Sequence, residues 1–171
     1  MSDYSIEHSK SWRKWKSFAW KSREKNLDIV LKEKLAEAIK RWQKENLRLS
    51  PPNSEQQIID CFLAIKSLIS KDILEFCSNF GGMVDGDMSE SLLSVWTLEM
   101  IVKENSASSE LTYFADFLIE SHRYAFKYED VKTSSVYSNY ESEDFVKIAD
   151  SIEQFFDLYL TNPNRIGLFK E

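Results

Sequence analysis

The side chains that could do chemistry are few, and their spacing argues against most of it. There are two histidines, His8 and His122. His8 lies in a polar start, and His122 falls in the polar run Glu120-Ser121-His122-Arg123, which reads as a turn. Neither has a cysteine, serine or carboxylate at the spacing of a nucleophile–base pair or a zinc site. Cys61 and Cys77 lack CxxC spacing and sit in apolar periodic segments. They read as buried reduced thiols, which points to a reducing cytosol. Asp85-Gly86-Asp87 fails as a calcium loop: its sixth position, which needs Gly, is Glu90, and its twelfth, which needs Glu, is Trp96. Gly81-Gly82 has no dinucleotide or P-loop pattern around it, so it reads as a turn ending a helix.

Two carboxylate settings remain. Asp116 stands in an otherwise apolar strand pattern. A buried aspartate needs hydrogen bonds or a cation. The favoured reading is a structural bond to backbone or to Arg123, with a ligand or partner contact and a general acid or base as alternatives. Glu141, Glu143 and Asp144 crowd a loop flanked by Tyr137 and Tyr140. Such a run is ordinarily solvated surface, but with two tyrosines beside it the composition also suits a protein-binding patch. The candidate partner-binding residues are therefore Tyr137, Tyr140, Glu141, Glu143, Asp144 and Asp116. No catalytic, cofactor-binding or metal-binding residue is assigned, and an enzyme is not expected.

The elements that must carry these residues follow from periodicity. Trp12, Trp15, Phe18 and Ala19, then Leu27, Val30, Leu31, Leu35, Ala38, Ile39 and Trp42, mark a helical stripe, either one helix or two breaking near residues 25 and 26. Pro51-Pro52 closes it. Apolar residues at helical spacing over 55–80 predict a second helical region, with Asn53 or Ser54 capping its start and Ser70 capping a later piece. Leu92 to Trp96 reads as a short strand, and Thr97 as the N-cap of a short helix. Residues 111–119 and 124–128 alternate as an antiparallel hairpin. On this alternation Leu111, Tyr113, Ala115, Phe117 and Ile119 share one face, and Thr112, Phe114, Asp116 and Leu118 the other. Val136-Tyr137 and Phe145 to Ile148 are further strands. Ser151 and Gln154 form a capping box before a last helix that stops at Asn162-Pro163. The expectation is an α+β domain, an antiparallel sheet with helices mainly on one face, over residues 53–171, preceded by a basic, tryptophan-rich helical segment over 1–52.

Charge divides the chain the same way. Residues 1–50 hold 13 Lys and Arg against 7 Asp and Glu, a net +6; the remainder holds 9 against 21, a net −12. Such a body repels nucleic acid and attracts cationic partners. Four of the five tryptophans lie in the basic segment. Pinning that segment to the acidic body is the favoured use for them, ahead of a partner, nucleic acid or a membrane. No apolar run is long enough to cross a membrane, and the start does not read as a secretory signal.

Four motifs in order then resemble one family: Phe80-Gly81-Gly82; Val95-Trp96-Thr97-Leu98-Glu99; Tyr113-Phe114-Ala115-Asp116-Phe117-Leu118-Ile119 with Tyr124-Ala125-Phe126; and Ile148-Ala149-Asp150-Ser151 leading to Phe155-Phe156 and Tyr159-Leu160. Over roughly residues 55–162 the chain resembles the SUKH superfamily (Smi/Knr type), though Ile69-Ser70 stands where that family has Leu-Pro. The resemblance implies a non-enzymatic α+β domain. It implies a cytoplasmic bacterial immunity protein that binds and neutralises a cognate toxin, often a nuclease, of a polymorphic or contact-dependent system. The alternative, from fungal members, is a regulatory scaffold for an endogenous partner. From the residues themselves, no cofactor, membrane or direct nucleic-acid contact is expected, and a monomer or weak dimer is expected.

Overall fold

The computed structural model describes residues 19–84, 86–105, 109–140 and 144–168, with side chains described from residue 29 onward. The architecture is α+β. Helix α1 (Ala19–Lys44) is unbroken, and Leu31, Leu35, Ala38 and Trp42 form its buried stripe at helical spacing. Helix α2 (Glu55–Ala64) is capped by Ser54, one of the two expected candidates, in a full capping box: Gln57 N–H donates to Ser54 Oγ and Ser54 N–H to Gln57 Oε1. Helix α3 (Lys71–Asn79) differs from expectation at its start. Ser70 holds the N-cap position, but its hydroxyl makes no cap bond. It donates instead to Asp72 and pairs with Ser134 Oγ at 2.7 Å. Asp72 also accepts from the Ser134 N–H, so this helix end is tied to the sheet. The two glycines after α3 mark a close approach of backbones. A Cβ on Gly81 would lie 1.9 Å from the Pro51 carbonyl oxygen, and one on Gly82, at φ +96°, 2.5 Å from that of Trp96.

Five strands follow, β1 (Leu93–Val95), β2 (Leu111–Phe117), β3 (His122–Tyr128), β4 (Ser134–Ser138) and β5 (Val146–Ala149), in an antiparallel sheet ordered as in the sequence. Helix α4 (Leu98–Glu104) lies between β1 and β2 in the chain and starts on Thr97, whose hydroxyl accepts from Met100 N–H. Past the end of β1, the edge of β2 is closed by a side chain. Asn105 Nδ2 donates to the Tyr113 carbonyl at 2.9 Å, and its Oδ1 accepts from Tyr113 N–H at 2.7 Å, so one amide replaces a strand neighbour. Helix α5 (Ile152–Thr161) starts at Ser151, whose hydroxyl accepts from Gln154 N–H. The return bond of the expected box goes one residue upstream, from Asp150 N–H to Gln154 Oε1. A 3₁₀ turn, Pro163–Ile166, ends the described fold.

The hairpin departs from simple alternation. β2 ends at Phe117, and Leu118, Ile119 and Glu120 form the tip with φ of +45°, +50° and +67°. The β2–β3 register shifts between Tyr113 and Ala115. Tyr113 pairs with Ala125 and Asp116 with Arg123, whereas Ala115 pairs with Tyr124 and Phe117 with His122. Phe114 is the extra residue of a bulge. It stacks on Phe126 with centroids 3.9 Å apart and meets Phe155 of α5. Thus Phe114 faces the helices while Asp116 does not, which corrects the shared face expected for them. The physical reason is that one inserted residue reverses the period-2 phase.

The core lies between this sheet face and α1, α3 and α5. Trp42 is fully buried, with Phe80, Tyr159 and Phe156 rings 5.0, 5.7 and 6.1 Å away, and its Nε1–H donates to Tyr159 Oη at 2.7 Å. The C-terminal half of α1 therefore shares one core with the rest.

His122 is the first residue of β3 rather than a turn residue, and it is buried, stacked on Phe117 at 4.6 Å. Tyr124 donates its hydroxyl proton to the Ile166 carbonyl at 2.6 Å. The Nε2 of His122, 2.9 Å from the same hydroxyl, must then be the donor, which fixes the neutral tautomer. Burial pushes the His122 pKa down to about 4. A histidine depressed below its unfolded value of roughly 6.5 adds stability that is present above that value and is lost as pH falls towards about 4. Between pH 7 and 4.5 this group accounts for roughly 2 kcal/mol of lost stability. Urea unfolding at the two pH values is expected to show that loss shrinking by a similar amount in His122→Gln; an unchanged pH dependence contradicts the assignment.

Candidate functional site

The face of the sheet turned away from α1, α3 and α5 carries the side chains left over from the core. Register places Ser94, Asp116 and Arg123 in one row across β1, β2 and β3, and Tyr113, Ala125, Tyr137 and Lys147 in the next across β2 to β5. Arg123 is the centre. Its guanidinium lies 5.6 Å from the ring centroids of both Trp96 and Tyr113, and it bonds Glu120 at 2.9 Å and Glu104 at 3.3 Å. Held between two rings and two carboxylates, it is a preorganised charged surface. Phe145, from the chain leading into β5, reaches Tyr113 at 5.4 Å, which brings the end of the acidic loop at Asp144 up to this face. Lys127 stands 6.0 Å from the Tyr137 ring and pairs with Glu110 at 3.1 Å.

Asp116 is 6% exposed. Its Oδ2 accepts from the Trp96 indole at 2.6 Å, and its Oδ1 from the Glu120 N–H at 3.3 Å. Of the two expected bonds, the one to backbone is present, while Arg123, its cross-strand neighbour, spends its guanidinium on Glu104 and Glu120. Burial holds the Asp116 pKa above the ordinary aspartate value; the indole and backbone bonds, and more weakly the Arg123 charge, act against it. Beside it a pocket of about 130 Å³ opens between Met83, Asp87 and Met88, the start of α4 and the hairpin tip.

The structure brings only some of the candidate residues together. Asp116 and Tyr137 share the open face, two strands apart. Tyr140 lies elsewhere, its ring against Gly167 and 5.9 Å from His122. Asp144 is exposed, and Glu141 and Glu143 lie outside the described residues. Sequence reasoning missed Trp96, Tyr113 and Arg123 as one stack, and the three methionines around the pocket. The available signal was the placing of Trp96 and Arg123 on either side of an aspartate that had to be satisfied. Among the described residues, no group of three or more His, Cys, Asp or Glu side chains is placed to hold a metal, and no helix is long and apolar enough to cross a membrane. The chemistry this face offers is stacking, ion pairing and apolar contact. No model of a known protein family matches the chain, and no curated protein matches it.

The tip beside the pocket is strained. Three consecutive non-glycine residues occupy left-handed backbone, and Ile119, β-branched, is 77% exposed. Such strain is characteristic of sites kept for function. Replacing Ile119 by Asn, which tolerates this conformation and gives up little buried surface, is expected to raise the unfolding free energy by about 1 kcal/mol. Urea denaturation measures it, and a loss of stability contradicts the strained assignment.

Proposed function

We propose that this protein is a non-catalytic, immunity-type binder that neutralises a cognate toxin in the cytosol, as the resemblance to SUKH domains implies. One observation carries the reading furthest: the sheet face away from the main helical layer presents Tyr113, Tyr137 and Phe145 around an Arg123 held over the buried Trp96 ring. Aromatic residues and arginine are the types that anchor protein interfaces, and here they are fixed in place before any partner arrives. The charge of −12 beyond residue 50 is the second support. A toxin that attacks nucleic acid must attract phosphate, so its active surface is basic and complementary to this body. Neutralisation is by occlusion, with no bond made or broken. The protein acts as a monomer or weak dimer and needs no cofactor.

The test is co-expression with the toxin encoded beside this chain. Cells are expected to survive, and the purified pair to bind at least about tenfold more weakly at high than at low salt, because steering by exposed charges is screened. Arg123→Ala and Tyr137→Ala are each expected to weaken binding by about 10- to 100-fold with the fold kept. Failure of protection, or protection indifferent to both substitutions and to salt, refutes the reading. A growth defect on deletion in cells lacking any toxin favours the scaffold role instead.

A further inference from the structure

The pocket beside Asp116 is built of materials that rarely occur together. Three of the chain's four methionines, Met83, Met88 and Met100, line it with Trp96 and Ile119, and the Asp116 carboxylate lies within the same lining. Thioethers and an indole make one apolar, adaptable wall, and Asp87 and Glu120, paired with Arg48 and Arg123, add two more carboxylates to the lining. A carboxylate buried in such a wall calls for a cation, because neutral donors alone leave its charge poorly compensated. The nearby cations are already engaged: Arg123 with Glu104 and Glu120, and Arg48 with Asp87 at 2.7 Å. Asp116 itself has the Trp96 indole and one backbone N–H, both neutral, which leaves acceptor capacity on a carboxylate that can take about four hydrogen bonds.

We propose that this pocket receives one basic side chain, Lys or Arg, from a protein partner, with its aliphatic stem against Met83, Met88 and Met100 and its charged head on the Asp116 carboxylate. The proposal rests on the reading of the chain as a protein binder and names the chemistry of the residue it grips. The observations select this occupant over others. About 130 Å³ suits a side chain rather than a nucleotide or a folded segment. A hard metal ion needs several converging oxygen ligands, and among the described residues no three carboxylates are placed to hold one. An apolar side chain leaves the buried charge uncompensated, and an acidic one meets repulsion. Met88 and Met100 are half-buried, so the wall can adjust to the stem.

The experiment uses the full chain labelled with [methyl-¹³C]methionine. Nα-acetyl-arginine amide and Nα-acetyl-lysine amide are titrated in, with Nα-acetyl-norleucine amide and calcium chloride as separate comparisons. The expected result is saturable movement of the Met83, Met88 and Met100 methyl resonances with the two basic amides, at a dissociation constant on the order of 1–10 mM. Asp116→Asn, which keeps an oxygen for the Trp96 indole, is expected to weaken binding at least about tenfold while the indole N–H resonance stays dispersed. Met88→Ala, at a half-buried position, is expected to weaken it about threefold. The proposal is overturned if no pocket methyl moves, if the norleucine amide or calcium moves them equally, or if both variants bind as the parent does. The two readings fail separately. Absent methyl shifts with cell protection intact remove the pocket alone, and intact shifts without protection remove the toxin reading alone.

Discussion

A single extra residue in β2 is the constraint on which the rest of this molecule depends. Between Tyr113 and Ala115 the pairing with β3 slips by one position. Strict alternation would send Phe114 and Asp116 to the same face. The bulge separates them, so Phe114 stacks on Phe126 under α5 while Asp116 turns to the other side, beside Trp96. An unbulged strand forces a choice between burying a carboxylate among phenylalanines and exposing a core ring. Each costs several kcal/mol by order of magnitude, from an uncompensated charge or from lost aromatic burial. The bulge avoids both.

From that separation the two faces take different roles. The helical side is a continuous aromatic seam, running from Trp42 through Phe80, Phe76 and Phe156 to Phe126 and Phe114. It welds the C-terminal half of α1 to the sheet domain. The opposite side has too few apolar groups to bury itself and holds its rings by charge instead, with Arg123 clasped by Trp96, Tyr113, Glu104 and Glu120. Trp96 belongs to both arrangements. Its backbone N–H extends the ladder to the Phe114 carbonyl at 2.8 Å, while its indole serves Asp116. A rigid core behind and a preorganised polar–aromatic face in front lower the ordering entropy lost when a partner of the kind proposed docks.

The element order was legible in the sequence because it rests on local signals: capping hydroxyls at Ser54, Thr97 and Ser151, period-2 runs for the strands, and glycines after α3. Features decided by distant partners were not legible. The bulge depends on Phe126 and Phe155 receiving Phe114, and local alternation contains no trace of that. The tip carries no Asn-Gly or Asp-Gly signal, because its left-handed residues are held by surrounding bonds, such as Leu118 N–H to the Leu92 carbonyl and Ser121 Oγ to the Leu118 carbonyl. Ser70 reads as a cap, yet its hydroxyl is drawn to Asp72 beside it and to Ser134, 64 residues away in the chain. Asp116 was legible as a carboxylate in an apolar strand that needs a hydrogen bond, and it is buried with a bond from the Glu120 N–H. The tyrosine pair did not stay together, because β4 ends between Tyr137 and Tyr140 and the chain turns towards Gly167.

On the proposed reading, the face created by the bulge, and not the helical layer, meets the partner. The most direct measurement is the backbone-amide chemical-shift footprint of that partner on the ¹⁵N-labelled protein. Changes are expected to concentrate at Tyr113, Asp116, Arg123 and Tyr137 and to spare the exposed sides of α1 and α5. A footprint centred on the helices, with those four positions unmoved, contradicts it.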